Sequence, residues 1–165
     1  MRWREAGGDV AATRFEWDVF ALGGDPALAD PAKHGRFEGD AFGSPDGLYF
    51  DSRGMLWVAT DISPTALNRG DYAGLGNNQL LAVDPRDGVF RRFLTGPRGC
   101  EITGVTGTPD ARTLFVNIQH PGEERGFTTA AAPRRVSNWP DFDPNGRPRS
   151  ATVAIRRADG GIVGT

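Results

Sequence analysis

The stretch FGSPDGLYFDSRGMLWVATD, residues 42–61, predicts a β-hairpin and decides the fold. Leu48 and Phe50 alternate with Tyr49, and the same alternation resumes after the turn, where Leu56 and Val58 flank Trp57. Strict alternation over such short runs is typical of strands whose successive side chains point to opposite faces. The Asp-Ser-Arg-Gly sequence between the two runs has the residues that favour a tight turn.

The same unit returns in altered form at residues 108–119 (TPDARTLFVNIQ), where Leu114-Phe115-Val116 takes the place of Leu56-Trp57-Val58. Each copy is followed by a second hairpin pattern, at residues 79–93 and 151–163, that turns at an Asp-Gly pair. Four short antiparallel strands per repeat are typical of a β-propeller blade. Two unrelated hairpin pairs of a β-sandwich are the alternative that this pattern leaves open.

The predicted fold class is all-β: a partial β-propeller of about two four-stranded antiparallel blades plus one outer strand of a preceding blade. Residues 1–41 would hold that orphan outer strand, at 13–22, and a polar loop. Residues 42–95 would form the first complete blade, and residues 96–165 the second blade with a long loop at 120–150. A propeller needs at least four blades to close. We therefore expect the chain to be a fragment from the end of a ring, or to assemble with another chain.

Composition supports the all-β prediction and excludes some classes of function. The 165 residues include 23 Gly and 12 Pro, and no window shows a sustained helical period. The formal charge of −2 is spread without long runs, so we expect neither a nucleic acid nor a membrane as partner. Cys100 is the only cysteine, which rules out a disulfide within the chain. The opening residues contain no apolar signal core, so the chain itself does not indicate a location.

Polar side chains cluster on one predicted face of the propeller. In an up-and-down blade the loop that enters the first strand and the loop between the second and third strands lie on the same face. The candidate residues in these loops are Asp46, Asp61, Asn77, Asn78, Glu101, Gln119, His120 and Glu123. Oxygen donors converging without sulfur suit a hard cation such as Ca²⁺, and Glu101 and Asp61 are the strongest candidates. For each residue taken singly, a structural role in a turn or loop stays open.

Six motifs in order resemble the C-terminal part of the PhoX family of alkaline phosphatases. They are SPDGLYFDSRGMLWVATD (44–61), GNNQLL (76–81), TGPRGCEITG (95–104), TPDARTLFVNIQHPGE (108–123), SNWP (137–140) and TVAIRRADGG (152–161). The resemblance implies a six-bladed propeller that hydrolyses phosphomonoesters with calcium and iron ions near its axis. It also implies export to the periplasm through a twin-arginine signal.

The resemblance implies metal-site roles for six residues, with the carboxylates as calcium ligands: Asp46, Asp61, Asn78, Glu101, Gln119 and His120. It also implies that the main iron ligands, including a cysteine, and an arginine-glutamate segment near the phosphate belong to an upstream half that this chain lacks. Cys100 lies in a different motif and is not that cysteine. The catalytic residues are therefore not assigned.

The resulting expectation is a fragment of a PhoX-like phosphatase that is inactive until the missing blades are supplied, by a separate chain or by self-association. Two alternatives remain open. One is a calcium-dependent propeller of the gluconolactonase type, which PDGLYFDSRGMLWVA (45–59) also resembles. The other is a propeller segment that binds a partner without catalysis, because this fold carries many functions.

Overall fold

The computed structural model describes residues 1–124 and 131–165, and its regular elements there are ten strands and three single-turn 3₁₀ helices. The strands are β1 (Arg2–Glu5), β2 (Phe15–Asp18), β3 (Glu38–Gly39), β4 (Pro45–Phe50), β5 (Leu56–Thr60), β6 (Gln79–Val83), β7 (Val89–Thr95), β8 (Glu101–Gly107), β9 (Leu114–Gln119) and β10 (Ala151–Ile155). The 3₁₀ helices span Ala6–Gly8, Pro31–Lys33 and Gly70–Tyr72. The all-β prediction is confirmed. In the described ranges, no helix is long and apolar enough to cross a membrane.

Strands β4, β5, β6 and β7 form the first blade, an antiparallel sheet in sequence order. The predicted hairpin at residues 42–61 is β4 and β5, and its turn closes with a hydrogen bond of 2.9 Å from the Gly54 amide to the Asp51 carbonyl. Gly54 has a φ of 82°, a left-handed conformation that glycine adopts without steric cost. The short strand β3 adds to the outer strand β7 in parallel.

The two middle strands of the first blade are buried on both faces, because their alternating side chains feed two separate cores. Trp57 and Leu80 belong to a core shared with the second blade. Val58 and Leu81, their neighbours in sequence, belong to a core on the opposite face together with Phe90. Every residue of β5 and β6 is buried. The period of two in the sequence therefore corresponds to two packing interfaces rather than to one buried and one solvated face.

Strands β8, β9 and β10 form the second blade, which has three antiparallel strands among the described residues. The prediction of a fourth strand after the turn at residues 158–160 is wrong. The chain instead crosses to the β8–β9 turn, where the Val163 amide donates to the Ala111 carbonyl at 2.9 Å. Val163 itself is buried in the core between the two blades. The alternating pattern of residues 151–163 predicted that the segment of Val163 pairs with β10, and in the structure the Val163 side chain is buried in the core instead.

The N-terminal segment also differs from the prediction. The orphan strand expected at residues 13–22 is the shorter strand β2, and it has an antiparallel partner in β1. The missed strand β1, Arg2-Trp3-Arg4-Glu5, has four residues and two arginines, which is too little apolar alternation to be recognised. The predicted boundaries at residues 41/42 and 95/96 stay predictions.

Candidate metal-binding site

Three of the predicted carboxylates lie at one end of the first strands of the two blades. Asp46 is the second residue of β4, and Glu101 is the first residue of β8. Asp61 follows β5 directly, and its amide donates to the Ser44 carbonyl at 3.0 Å, which places it beside the start of β4. Antiparallel pairing within the first blade and contact between β4 and β8 bring the three residues to the same end of the sheets.

The electrostatics of Glu101 show that these carboxylates interact. Burial raises the pKa of the Glu101 carboxyl, whose side chain is 13% exposed, and the negative charges of Asp61 and Asp46 raise it further. A hydrogen bond and the charge of His120 oppose the rise. A buried carboxyl whose pKa is raised by neighbouring negative charges is common at sites that receive a cation or a proton.

His120 connects Glu101 to the loop that follows β9. Its Nε2 atom lies 3.5 Å from a carboxylate oxygen of Glu101, and its Nδ1 atom lies 2.9 Å from a carboxylate oxygen of Glu123. Gln119 is exposed and is the cross-strand partner of Glu101 in the β8–β9 pair. The structure therefore brings Asp46, Asp61, Glu101, Gln119, His120 and Glu123 to one end of the inner strands.

Asn78 is not part of this group, which corrects the prediction for that residue. Its side chain is 1% exposed. The Oδ1 atom accepts from the Thr60 hydroxyl at 2.9 Å and from the Ile62 amide at 2.7 Å. The Nδ2 atom donates to the carbonyls of Ile62 at 3.2 Å and Cys100 at 2.9 Å. With two bonds accepted and two donated, the carboxamide is fully used in joining the loop after β5 to the start of the second blade.

Asn77 is likewise engaged with its surroundings, because its Nδ2 donates to the Gly96 carbonyl at 3.2 Å and its Oδ1 accepts from Asn68 at 3.0 Å. Cys100 is buried, and burial raises the pKa of its thiol to about 12. A thiol that keeps its proton is a poor metal ligand, since the thiolate is the form that binds. The donor set near Glu101 consequently consists of oxygens and the imidazole of His120.

Sequence analysis missed Glu124, which fixes the loop carrying His120. Arg69, from the loop between β5 and β6, lies 2.9 Å from one carboxylate oxygen of Glu124. Arg98, from the connection between the blades, lies 2.6 Å from the other. The Gly122 amide adds a hydrogen bond of 2.8 Å to the Arg98 carbonyl. No local pattern could reveal this cluster, because its members come from three loops that meet only in the folded chain.

The described residues do not form a coordination sphere by themselves. Within residues 1–124 and 131–165, no group of three or more His, Cys, Asp or Glu side chains is close enough to hold a metal ion. The donor types nevertheless suit a hard cation, which takes six to eight oxygens and draws them from several segments. The fit to a metal ion is therefore one of donor chemistry at Asp46, Asp61 and Glu101, and not of a complete cage.

Comparisons with known proteins identify the family and the fold of the chain. The family model described as "Alkaline phosphatase PhoX" matches residues 1–122. A solved structure, Pseudomonas fluorescens PhoX in complex with vanadate, a transition state analogue, is 47% identical with a TM-score of 0.84. The match covers 98% of this chain and 26% of that one, so the chain spans about a quarter of that protein's length. The likeness confirms the partial β-propeller. No curated protein matches the chain.

Proposed function

The chain belongs to the PhoX family of alkaline phosphatases, and we propose that it supplies one side of a metal-dependent site for phosphomonoester hydrolysis. The observation that carries this proposal is the position of Glu101. It is a mostly buried carboxylate whose pKa is raised first by burial and then by Asp61 and Asp46. The negative charges of Asp46, Asp61 and Glu101 repel one another, which costs free energy in the chain without a ligand. A bound cation would offset that cost.

Asp46, Asp61 and Glu101 are proposed to hold calcium through their carboxylate oxygens. His120 and Glu123 would orient Glu101 from the loop after β9, and Gln119 would offer an amide oxygen at the same edge. The imidazole of His120 suits iron better than calcium. When bound, the metal ions would polarise the phosphoryl group and stabilise the negative charge that develops during hydrolysis.

The chain is proposed to be inactive alone, with the main iron ligands in the part of the family that it does not span. The relative was solved with vanadate, a transition state analogue, and phosphomonoesters are accordingly proposed as substrates of the completed protein. The periplasm is proposed as its location, by the same likeness.

The test is to produce the chain together with the part of Pseudomonas fluorescens PhoX that the match leaves out, and to measure p-nitrophenyl phosphate hydrolysis with calcium and iron. Asp61→Asn and Glu101→Gln should abolish most of the activity and reduce bound calcium in elemental analysis. Glu38→Gln, on the exposed strand β3 at the outer edge of the first blade, is the matched control and should change neither. Wild-type hydrolysis by both site variants, or hydrolysis of a sugar lactone instead of the phosphate ester, would contradict the proposal.

A further inference from the structure

A cavity of about 250 Å³ lies beside the candidate metal-binding site, between the loop that precedes β4 and the loop that joins β5 to β6. Ser44 and Pro45 line the cavity, and Asp46 of the candidate site follows them in the chain. The Ser44 carbonyl also accepts from the Asp61 amide at 3.0 Å. Two residues of extended chain span at most about 7 Å, so the cavity and these carboxylates are within the reach of one small molecule.

Asp25 supplies a buried carboxylate to the wall of this cavity, with only 7% of the residue exposed. Its Oδ1 atom accepts from the Ala27 amide at 2.9 Å and so forms an Asx turn. Among the described residues, no hydrogen-bond donor contacts its Oδ2 atom. A buried carboxylate oxygen without a donor costs free energy, and a ligand that donates a hydrogen bond to it removes that cost.

Two glycines allow the side chains of the cavity wall to approach the backbone closely. A Cβ atom on Gly74 would collide with the Oδ2 atom of Asp25. A Cβ atom on Gly43 would lie 2.8 Å from the ring of Tyr72 and 2.9 Å from the side chain of Leu75. Glycine at position 74 therefore leaves room for the carboxylate, and glycine at position 43 lets Tyr72 and Leu75 pack beside the start of β4.

The rest of the lining is close to neutral and partly apolar. Lys33 at the rim is paired with Asp71, at 2.8 Å between the ammonium nitrogen and a carboxylate oxygen. The hydroxyls of Ser44 and Tyr72 lie 3.4 Å apart, and two leucine side chains add apolar surface. The remaining charge is the negative one of Asp25, which repels a phosphate group. A neutral group with hydroxyl donors and a carbon skeleton fits this mixture of polar and apolar atoms.

We propose that this cavity binds the polyol part of a phosphomonoester, a glycerol or sugar group, while the phosphate lies at the metal ions. Asp25 accepts a hydrogen bond from a substrate hydroxyl, and Tyr72 and Leu75 pack against the carbon atoms. The cavity volume equals the share of about eight water molecules in the liquid, which is room for a small polyol. The inference rests on the proposed function for the reaction at the phosphate, and it adds the class of substrate.

The kinetic test uses the protein assembled for the activity assay and compares two esters. Glycerol 3-phosphate carries two hydroxyls, and propyl phosphate has the same three-carbon chain without them, so wild-type kcat/KM should be higher for glycerol 3-phosphate. Asp25→Asn keeps the acceptor of the turn and removes the charge, whereas Gly74→Ala keeps the charge and displaces the carboxylate. Each should lower kcat/KM for glycerol 3-phosphate about tenfold, mainly through KM, as expected for one lost hydrogen bond to a charged group. Propyl phosphate should be unaffected.

Asp30→Asn is the matched control. The Oδ1 atom of Asp30 accepts from the Ala32 amide at 3.0 Å in a turn of the same kind, and Asp30 lies outside the lining of the cavity. This variant should keep the wild-type ratio of the two esters.

Xylitol, which has hydroxyls and no phosphate, tests the cavity without any reaction. Saturation-transfer NMR on the chain itself should show xylitol binding at millimolar concentration to the wild type and to Asp30→Asn. The signal should fall several-fold for Asp25→Asn and Gly74→Ala. Absence of xylitol binding to the wild type, equal kcat/KM for the two esters, or wild-type behaviour of both cavity variants would overturn the inference. Xylitol binding that both cavity variants weaken, with no hydrolysis of either ester, contradicts only the proposed function.

Discussion

Asp51 is the residue on which the first hairpin depends. Its buried carboxylate accepts from the amides of Arg53 at 2.9 Å and Met55 at 3.0 Å, and from the Trp57 indole at 3.3 Å. The guanidinium of Arg53 reaches the same carboxylate at 2.6 Å and also donates to the Val163 carbonyl at 2.9 Å. Burial acts to raise the pKa of Asp51, but the hydrogen bonds of Arg53, Met55 and Trp57 outweigh it and hold the pKa below its usual range.

Replacing Asp51 by Asn should lower the free energy of unfolding by about 1–3 kcal/mol, because a carboxylate that accepts several bonds becomes an amide with two donors of its own. Urea titration measures this. Since the folded pKa is lowered, the contribution of Asp51 is present above the ordinary carboxyl pKa of about 4 and is lost as the pH falls through the folded value. Asp51→Asn should therefore flatten the acid limb of stability below that pH. An acid limb that matches the wild-type chain, with Glu38→Gln as control, would contradict this role.

The contribution of Glu101 to stability should depend on pH in the opposite direction to that of Asp51. Its folded pKa is raised, so its protonated form is the one that the fold favours, and that contribution is lost as the pH rises through the folded pKa. In metal-free buffer near pH 7, Glu101→Gln should raise the Tm by about 1–3 °C, which for a chain of this size corresponds to about 1 kcal/mol or less. In the assembled protein, added calcium should raise the Tm of the wild type and leave that of Glu101→Gln unchanged. Equal calcium shifts in both would count against ligation by Glu101.

The comparison of Asp61 with Asn78 shows what sequence can tell about single residues. Asp61 directly follows a strand pattern that is long and regular, so its place at the strand end is predictable. Asn77 and Asn78 lie in the loop just before β6, where Asn77 is half-buried and Asn78 is buried. Which of two adjacent asparagines is buried depends on how this loop packs in the folded chain, and the loop sequence does not reveal that. A residue type suited to ligation was therefore assigned to the site although its polar atoms are all used in the core.

At the scale of elements, the two blades are joined by the packing of β5. The Trp57 side chain is 1% exposed and belongs to the core between the blades. Its ring meets Phe93 edge-on at 4.9 Å between centroids, and the backbone at Gly164 closes over its far side. The indole thus contacts its own blade and the C-terminal segment, as well as the second blade.

Trp57→Ala should cost about 3–5 kcal/mol, the range for removing a large aromatic side chain from a core. Because the same side chain serves both blades, they should unfold in one transition at a lower urea concentration. Trp57→Phe keeps most of the apolar volume but loses the indole bond to Asp51, so its cost should be clearly smaller. Two separated transitions in the wild type, or a loss below about 1 kcal/mol for Trp57→Ala, would show that the blades are not coupled through this residue.

The strands that the sequence predicted correctly are those with a clear period of two, and an Asp-Gly turn alone was not sufficient, because the strand expected after Asp159-Gly160 does not form. Strands β4 to β7 have that period, and all four form. Strand β1 was missed because its four residues include two arginines and show too little apolar alternation. The predicted closing strand of the second blade does not form, and Val163 is instead buried in the core between the blades.

At the scale of the whole molecule, exposed apolar surface is concentrated on two elements. The hairpin of β1 and β2 and the inner strand β4 expose five large apolar side chains: Trp3, Phe15, Trp17, Leu48 and Phe50. Among the described residues, β1 pairs only with β2 and β4 only with β5, so each also has an unpaired edge. An unpaired strand edge beside an exposed apolar surface is a template for association with another chain.

The chain produced alone should therefore be oligomeric or poorly soluble at micromolar concentration, whereas the assembled protein should not. Size-exclusion chromatography with light scattering over a concentration series measures the first, and binding of an apolar dye measures the exposed surface. Leu48→Ser with Phe50→Ser should reduce both signals, because it removes apolar area without changing the net charge, and Phe142→Ser should not. A monodisperse wild-type monomer that binds no dye would mean that this surface is stable in water, and the expectation of further blades that cover it would be wrong.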